Sequence, residues 1–498
     1  MFLYELLKRQ RENDKVAIKF KDEMITYREW YNRSCLIATI LDGANIEESS
    51  NVAIFLPNSI DYAISYFSVL LSKRVIVPIE INSKEPEIMS TVEYCETDVI
   101  ITSLKYRSFF DNMLSTYKFK IFILFIENQS FEVFNEDKPF IIKSKDSRNA
   151  LSKDDVAIML HTSGTTSNPK RVMLSHNNLI ANVESNIKSL NLTSRDNGLI
   201  ALPLCFGYCN TAQFLTHVYL GAYIVIMDKL FFPKDFFQLV QNEKITNFTA
   251  VPSMLLMLLT YRWNQNYNVN SLRYICFGGG KMPLEQLKKL ICKFPEIGFV
   301  QTYGQTEASP RITALLPKDS LIKLGSVGLP IPNVSVKIIN EFNECSKANE
   351  IGEIIVQGKN VMKGYYKHQD LTDSTIVDGW LYTGDLGYFD EDGYLYIVGR
   401  KKNVIISGGI NIYPEEIEEV LMSYPKIKDV IVFGQEHPLY GEIPIAKVVV
   451  SSDCSSKEIK EFCLLKLSKY KIPQEIIFVE KIQKTFNGKM FRGRNELC

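Results

Sequence analysis

Apolar runs of strand length alternate with stretches of helical spacing through the first part of the chain. NVAIFLP (51–57) predicts a strand, SIDYAISYFSVLLS (59–72) carries apolar residues at helical spacing, and RVIVPI (74–79) and DVIITS (98–103) predict further strands. The same rhythm returns at GAYIVIMD (221–228), TNFTAVP (246–252) and SLRYICFGGG (271–280). Repeated β–α–β units predict parallel sheets with helices on their faces. Ligands of such sheets lie outside the carboxyl ends of the strands, so the Gly-rich strand ends are where chemistry is expected.

After about residue 330 the texture changes to short strands and Gly-punctuated turns, SVKIIN, GEIIVQG and DGYLYIVG, which predict a small antiparallel or barrel-like unit. A second change follows GRKKN (399–403). PEEIEEVLMSYP (414–425) and SSKEIKEFCLLKLS (455–468) predict helices, and DVIVFG and IAKVVV predict strands. The expected architecture is therefore α/β. A large N-terminal domain (1–399) has parallel-rich sheets flanked by helices plus the barrel-like part, and a small α+β domain (400–498) follows.

Composition narrows the function without naming it. The chain has 498 residues, 46% of them hydrophobic, so several cores are possible. Its 57 Lys+Arg balance 57 Asp+Glu, which argues against a general polyanion-binding protein and against nucleic acid as a partner. The ten cysteines are scattered; only Cys205 and Cys209 sit close together, and no second Cys/His pair has zinc-ligand spacing. They read as free thiols in a reducing compartment. The opening MFLYELLKRQRENDK lacks the apolar core of a secretory signal, and KIFILFIE (120–127) and MLLMLL (254–259) are far shorter than a membrane span. A cytoplasmic protein without a membrane span is expected.

Four short motifs carry candidate chemistry. HTSGTTSNPK (161–170) is not a Walker loop. Gly164 still lets backbone approach phosphate oxygens, Thr162, Ser163, Thr165 and Thr166 offer hydroxyls, and Lys170 adds a positive charge. In YGQTE (303–307), Tyr303 offers an aromatic face for a base, Gly304 follows it, and Thr306 offers a hydroxyl for a phosphate. Glu307 offers a carboxylate for Mg²⁺, a hard ion that prefers oxygen ligands. YTGDLG (382–387) sets Asp385 among glycines, suited to a ribose diol, and Arg400 in GR (399–400) is a fixed cation with directed donors. Taken singly, these are equally a surface loop, an ordinary turn, a Gly-Asp turn and a solvated charge.

Taken in order, they change the picture. HTSGTTSNPK, YGQTE, YTGDL and GRKKNVIISGGINIYPEEIE, followed by KTFNGKMFR, resemble the adenylate-forming superfamily of acyl-CoA synthetases, peptide-synthetase adenylation domains and beetle luciferases. The resemblance runs from ITYREW (25–30) to the end of the chain. It implies activation of a carboxylic acid by attack on the α-phosphate of ATP, loss of pyrophosphate, and transfer of the acyl group to a thiol. By the resemblance, Thr162 to Thr166 and Lys170 wrap the β/γ-phosphates, and Gly278, Gly279 and Gly280 let adenine and the acyl group approach the backbone. Tyr303 stacks on adenine, Thr306 contacts the α-phosphate, Glu307 binds magnesium, and Asp385 and Arg400 hold the ribose. Lys489 reaches the α-phosphate and the attacking carboxylate, and Lys402 is the hinge about which a mobile C-terminal domain turns between half-reactions. A positioned ammonium and Mg²⁺ would offset the anion–anion repulsion of that attack.

Within the superfamily, ISGGINIYPEEIE (406–418) resembles acyl- and aryl-CoA synthetases most, where Gly408 and Gly409 leave room for pantetheine. No acidic residue occurs in LPLCFGYCN (202–210), where amino-acid-activating domains carry an aspartate, so an α-amino acid is not the expected substrate. Phe206 occupies a position that lines the acyl pocket. The expected enzyme is an ATP-dependent acid–CoA ligase. The alternatives are loading of a separate carrier protein's phosphopantetheine, acting in trans, and a nucleotide-binding regulatory protein without activity. Departures from the family pattern are Ser167 and Arg171 where glycine is common, Lys73 and Arg74 where small residues are usual, and Gln483 in place of proline. A side chain at a glycine-favouring position is expected to strain or reshape the phosphate loop.

Overall fold

The computed structural model describes residues 1–44, 46–117, 121–127, 130–134, 152, 154–161, 170–262 and 267–482. Two large sheets form its centre. One has nine strands, of which Val16–Phe20, Tyr223–Ile226, Asn197–Ile200, Asn247–Ala250, Tyr274–Phe277 and Gly298–Gly304 run parallel in that spatial order. The other has eight strands, with Val156–His161, Val75–Pro78, Asn51–Phe55, Thr97–Ser103 and Phe122–Glu127 parallel. Every strand and helix expected from the apolar rhythm of residues 51–103 is present within a residue or two.

The sheets face each other across the largest core. Ile18, Ile200 and Ile224 of one sheet and Val52, Ile76 and Val99 of the other share it with Tyr66, Phe67, Leu179, Val183 and Phe214 from the helices between them. Helix Ile60–Leu71 is apolar on almost every side because it packs in this layer, and Ser59 caps it by accepting the Tyr62 N–H at 3.1 Å. Helix His176–Leu190 starts at a Ser175 capping box and stops at Asn191, whose φ of 50° is left-handed. Outer cores cover the far faces. Phe236, Leu255 and Leu287 pack on the nine-stranded sheet, and Ile88, Phe110 and Met113 on the eight-stranded one.

Residues 334–400 form a five-stranded antiparallel sheet, in which Trp380–Phe389 pairs with Gly352–Gly358 and with Leu395–Arg400. Beyond Arg400 a further five-stranded sheet carries helices Pro414–Met422 and Ser456–Leu464 over a separate core of Ile405, Ile417, Val430, Val448 and Ile459. Among the described residues no helix is long and apolar enough to cross a membrane.

Candidate functional site

Three loops of the nine-stranded sheet leave the carboxyl ends of parallel strands, as the topology demands of a ligand site. Asn197–Ile200 leads into the Phe206 loop, Tyr274–Phe277 into Gly278–Gly280, and Gly298–Gly304 into the turn Thr306–Ala308. The eight-stranded sheet meets them there. A methyl group on Gly207 would lie 3.0 Å from Leu160 Cδ1, at the end of Val156–His161, and 3.8 Å from Thr306 Cγ2. Two glycines have specific reasons to be glycine. A Cβ on Gly278 would sit 2.7 Å from the Thr302 carbonyl and hydroxyl oxygens, and one on Gly304 would sit 1.8 Å from the Pro310 carbonyl oxygen.

Tyr303, Asp385 and Arg400 converge on one corner. Asp385 and Arg400 are register partners on antiparallel strands, so their side chains share a face. Arg400 Nε lies 2.5 Å from one carboxylate oxygen of buried Asp385, and the Tyr303 hydroxyl donates to the other at 2.7 Å. Burial, and then the Asp385 carboxylate, raise the Tyr303 phenol well above its ordinary value, so it remains a donor. Lys401 pairs with Glu353 at 2.7 Å and anchors the segment just beyond the corner.

Glu307 and Lys170 converge beside it. Tyr365 donates from its hydroxyl to Glu307 Oε1 at 2.9 Å, and Lys170 Nζ stands 5.6 Å from the centre of the Tyr365 ring. Tyr365 reaches this place because Gly364–Tyr365 pairs with Arg171–Ser175, the strand that follows Lys170. Lys402 feels the same field: burial, then the Arg400 and Lys170 charges, hold its ammonium below the usual lysine value. Glu307 offers one hard oxygen ligand of the kind Mg²⁺ prefers, and among the described residues no group of three acidic, His or Cys side chains joins it, so the remaining ligands would come from a polyphosphate and water. Thr162, Ser163, Gly164, Thr165 and Thr166 of the phosphate loop, and Lys489, lie outside the described residues.

Gly408 and Gly409 form the two-residue turn between Ile405–Ser407 and Ile410–Ile412, with φ of 56° and 79°. Nothing lies within 4 Å of a Cβ on Gly409, so the turn backbone itself calls for glycine there. Arg171 differs from the expectation of strain. It opens a strand rather than taking a left-handed φ, so its position does not need glycine's freedom. Its buried guanidinium donates to the Pro78 carbonyl at 3.3 Å and Thr91 Oγ1 at 2.9 Å. Lys73, in contrast, does take a left-handed φ of 58°. Arg74 turns inward to Asp42 at 2.8 Å and to the Ser72 and Ile46 carbonyls.

Sequence reasoning passed over Tyr365, whose only signal was its place in GYY, and Tyr208 and Arg311 behind the Phe206 loop. The Tyr208 hydroxyl lies 2.9 Å from Thr302 Oγ1, and Thr302 donates to the Phe277 carbonyl at 3.0 Å. These bonds tie the Phe206 loop to the strand ends that carry Gly278 and Tyr303.

Two facing sheets that gather Glu307, Asp385, Lys170 and glycine turns at their strand ends have the arrangement expected of an adenylate-forming enzyme. The AMP-binding enzyme family matches residues 7–366 and the AMP-binding enzyme C-terminal domain matches residues 416–489; the chain belongs to this family. It is 32% identical over 487 residues to a 2-succinylbenzoate–CoA ligase of Bacillus cytotoxicus, covering 96% of this chain and 95% of the relative. It is 34% identical over 490 residues to one of Oceanobacillus iheyensis, covering 96% and 95%. Among solved structures it matches the Bacillus subtilis o-succinylbenzoate CoA synthetase in complex with its acyl-adenylate intermediate, with a TM-score of 0.85, 28% identity and coverage of 100% of this chain and 98% of that one. The same synthetase with ATP and a magnesium ion also gives a TM-score of 0.85 at 28% identity, covering 98% of each chain. The chain is thus an ATP-dependent acid–CoA ligase of the acyl-AMP-forming class, and the Bacillus subtilis synthetase it resembles is the one seen with its acyl-adenylate and with ATP and a magnesium ion.

Proposed function

We propose that the acid is 2-succinylbenzoate or a close aromatic diacid, and that the work is divided between the corners described above. The similarity to 2-succinylbenzoate–CoA ligases along nearly the whole chain supports the acid. The convergence of Tyr303, Asp385, Arg400, Glu307 and Lys170 carries the assignment of roles.

Asp385 accepts the ribose hydroxyls with Arg400 holding its carboxylate in place, and Tyr303 presents its ring to adenine. Thr306 donates to the α-phosphate, Glu307 holds the magnesium that travels with ATP, and Lys170 with residues 162–166 cradles the departing pyrophosphate. Magnesium supplies neutralising charge on the phosphates. Lys489 brings its ammonium to the point where carboxylate meets α-phosphate, the place where negative charge builds up. Phe206, with Gly278 to Gly280, borders the acyl group.

Residues 400–498 act as a separate lid that turns about Lys402 after adenylation, taking Lys489 out and bringing the Gly408–Gly409 turn to the thiol channel. The enzyme works in the cytoplasm. The test is acid-dependent pyrophosphate release across a panel of carboxylic acids, followed by mass measurement of the thioester with CoA or with a phosphopantetheinylated carrier protein as acceptor. Saturable release with 2-succinylbenzoate and its CoA thioester as product is the expected result. No release with that acid, and robust release with another class, would overturn the substrate. Thioester on the carrier protein alone would move the acceptor.

A further inference from the structure

Arg311 is one of the largest fully buried side chains among the described residues, and none of the described acids pairs with it. It opens a strand paired with Gly298–Gly304, directly after the turn that carries Thr306 and Glu307. One guanidinium nitrogen donates to Asn186 Oδ1, and the group also lies against the Tyr208 hydroxyl and the Cys276 thiol. Among the described residues its Nε–H has no acceptor and no Asp or Glu pairs with it.

The neighbours are neutral. Asn186 spends both amide hydrogens on the Ala212 carbonyl at 3.0 Å and Thr216 Oγ1 at 2.9 Å, so it faces the arginine with an uncharged oxygen. Burial pushes the Tyr208 phenol up to about 12, and burial also raises the Cys276 thiol, so neither supplies an anion near neutral pH. A buried ion without a counter-charge is costly, by several kcal/mol in typical proteins, and hydrogen bonds to neutral groups offset only part of that.

The position gives the charge a use. Cys276 lies two residues before Gly278, and Tyr208 lies two residues after Phe206 and is tied through Thr302 to the strand that ends in Tyr303. Through Tyr208 and Cys276, Arg311 therefore lies one layer behind the Phe206 loop and the Gly278 strand end, the two segments expected to border the acyl group.

We propose that Arg311 is the counter-ion for a second, non-reacting carboxylate of the acid, and that it selects dicarboxylic over monocarboxylic substrates. The inference rests on the reading of this chain as a ligase of an aromatic diacid. One carboxyl attacks the α-phosphate, and the other stays ionised and enters the low-dielectric wall only because a guanidinium receives it. Arginine suits this better than lysine, since its planar fork pairs with a carboxylate through two bonds.

The test compares kcat/KM for 2-succinylbenzoate with two analogues, benzoylpropionate, which lacks the ring carboxylate, and ortho-butyrylbenzoate, which lacks the chain carboxylate. A panel of aliphatic diacids and their monomethyl esters is run beside them. In the wild-type enzyme the diacid is expected to exceed the better monoacid by about 100-fold, the size of a desolvated charge pair. Arg311→Gln should remove most of that preference, lowering the diacid by about that factor while the monoacid changes only a few-fold. Arg311→Lys should restore part of the ratio, which a merely structural role would not do. An equal fall for diacid and monoacid in Arg311→Gln, with the ratio unchanged, overturns the proposal. So does a wild-type enzyme that does not prefer any diacid over its monoester, a measurement that needs no variant to fold. If an aliphatic diacid is preferred and its advantage collapses in Arg311→Gln, the 2-succinylbenzoate reading falls and the role of Arg311 stands.

Discussion

The corner proposed for the nucleotide and the wall proposed for the acyl group handle charge in opposite ways. At the corner, the Asp385 carboxylate is already shared between Arg400 at 2.5 Å and Tyr303 at 2.7 Å. Arg311 is also buried, but its partners among the described residues, Asn186, Tyr208 and Cys276, are neutral. ATP is the same for every member of the family, so its site can be assembled in advance from mutually paired residues. The acid differs between enzymes, and the charge that recognises it is left to be completed by the substrate. Arg171 is likewise buried among neutral acceptors, so an unsatisfied charge points to specificity only where, as at Arg311, it also backs the segments proposed to border the acid.

Four changes would break or sharpen this contrast. The largest effect is expected from Glu307→Gln, which keeps size and loses charge beside Lys170. Adenylation at saturating ATP should fall by about 1,000-fold, as for loss of one preorganised electrostatic group, with the preference for diacid over monoacid unchanged. Near wild-type pyrophosphate release would remove Glu307 from the magnesium site. Next is Lys402→Pro, which fixes φ and deletes an N–H at the proposed hinge. Acyl-AMP should still form within a few-fold of wild type, while thioester formation from supplied acyl-AMP and CoA falls by about 100-fold, an estimate for a blocked conformational step. Equal losses in both half-reactions would argue for a structural lysine.

Asp385→Asn should raise the KM for ATP by about 30-fold if the corner holds the ribose as proposed, because it leaves the Arg400 cation without its partner. Thermal melting reports the same change, since a pair at this depth also holds two strands together. An unchanged KM with a lowered melting temperature would reduce Asp385 to a strand staple. The smallest effect belongs to Tyr303→Phe. It removes one hydrogen bond to a carboxylate and keeps the ring, so the KM for ATP should rise by about 15-fold, or about 1.5 kcal/mol, the low end for a bond to a charged group. A loss as large as that of Asp385→Asn would mean that the hydroxyl, and not the ring, is what the nucleotide uses.

Much of the architecture and of the motif positions was legible in the sequence, for local reasons. Strands covered on both faces leave continuous apolar runs such as NVAIFLP, and a helix between two sheets is apolar almost all round, as Ile60–Leu71 is. Glycines held by close backbone approach, at Gly278 and Gly304, survive as visible marks because no other residue fits. Asp385 and Arg400 were legible as candidates because each follows a glycine, Gly384 and Gly399, whereas their pairing across two strands was not. The expected strain at Arg171 did not follow, because a residue type cannot reveal whether its φ is positive or extended.

What only the tertiary structure decided are the contacts between residues far apart in the chain. Tyr365 and Glu307 are 58 residues apart, Tyr303 and Asp385 are 82 apart, and Arg311 and Asn186 are 125 apart. A one-dimensional pattern encodes which residues are buried, since burial follows from apolar character at a period set by the local backbone. It does not encode which polar group a buried charge will face. That depends on how two sheets and the helices between them pack, and Arg311 in the sequence looks like any surface arginine until that packing closes over it.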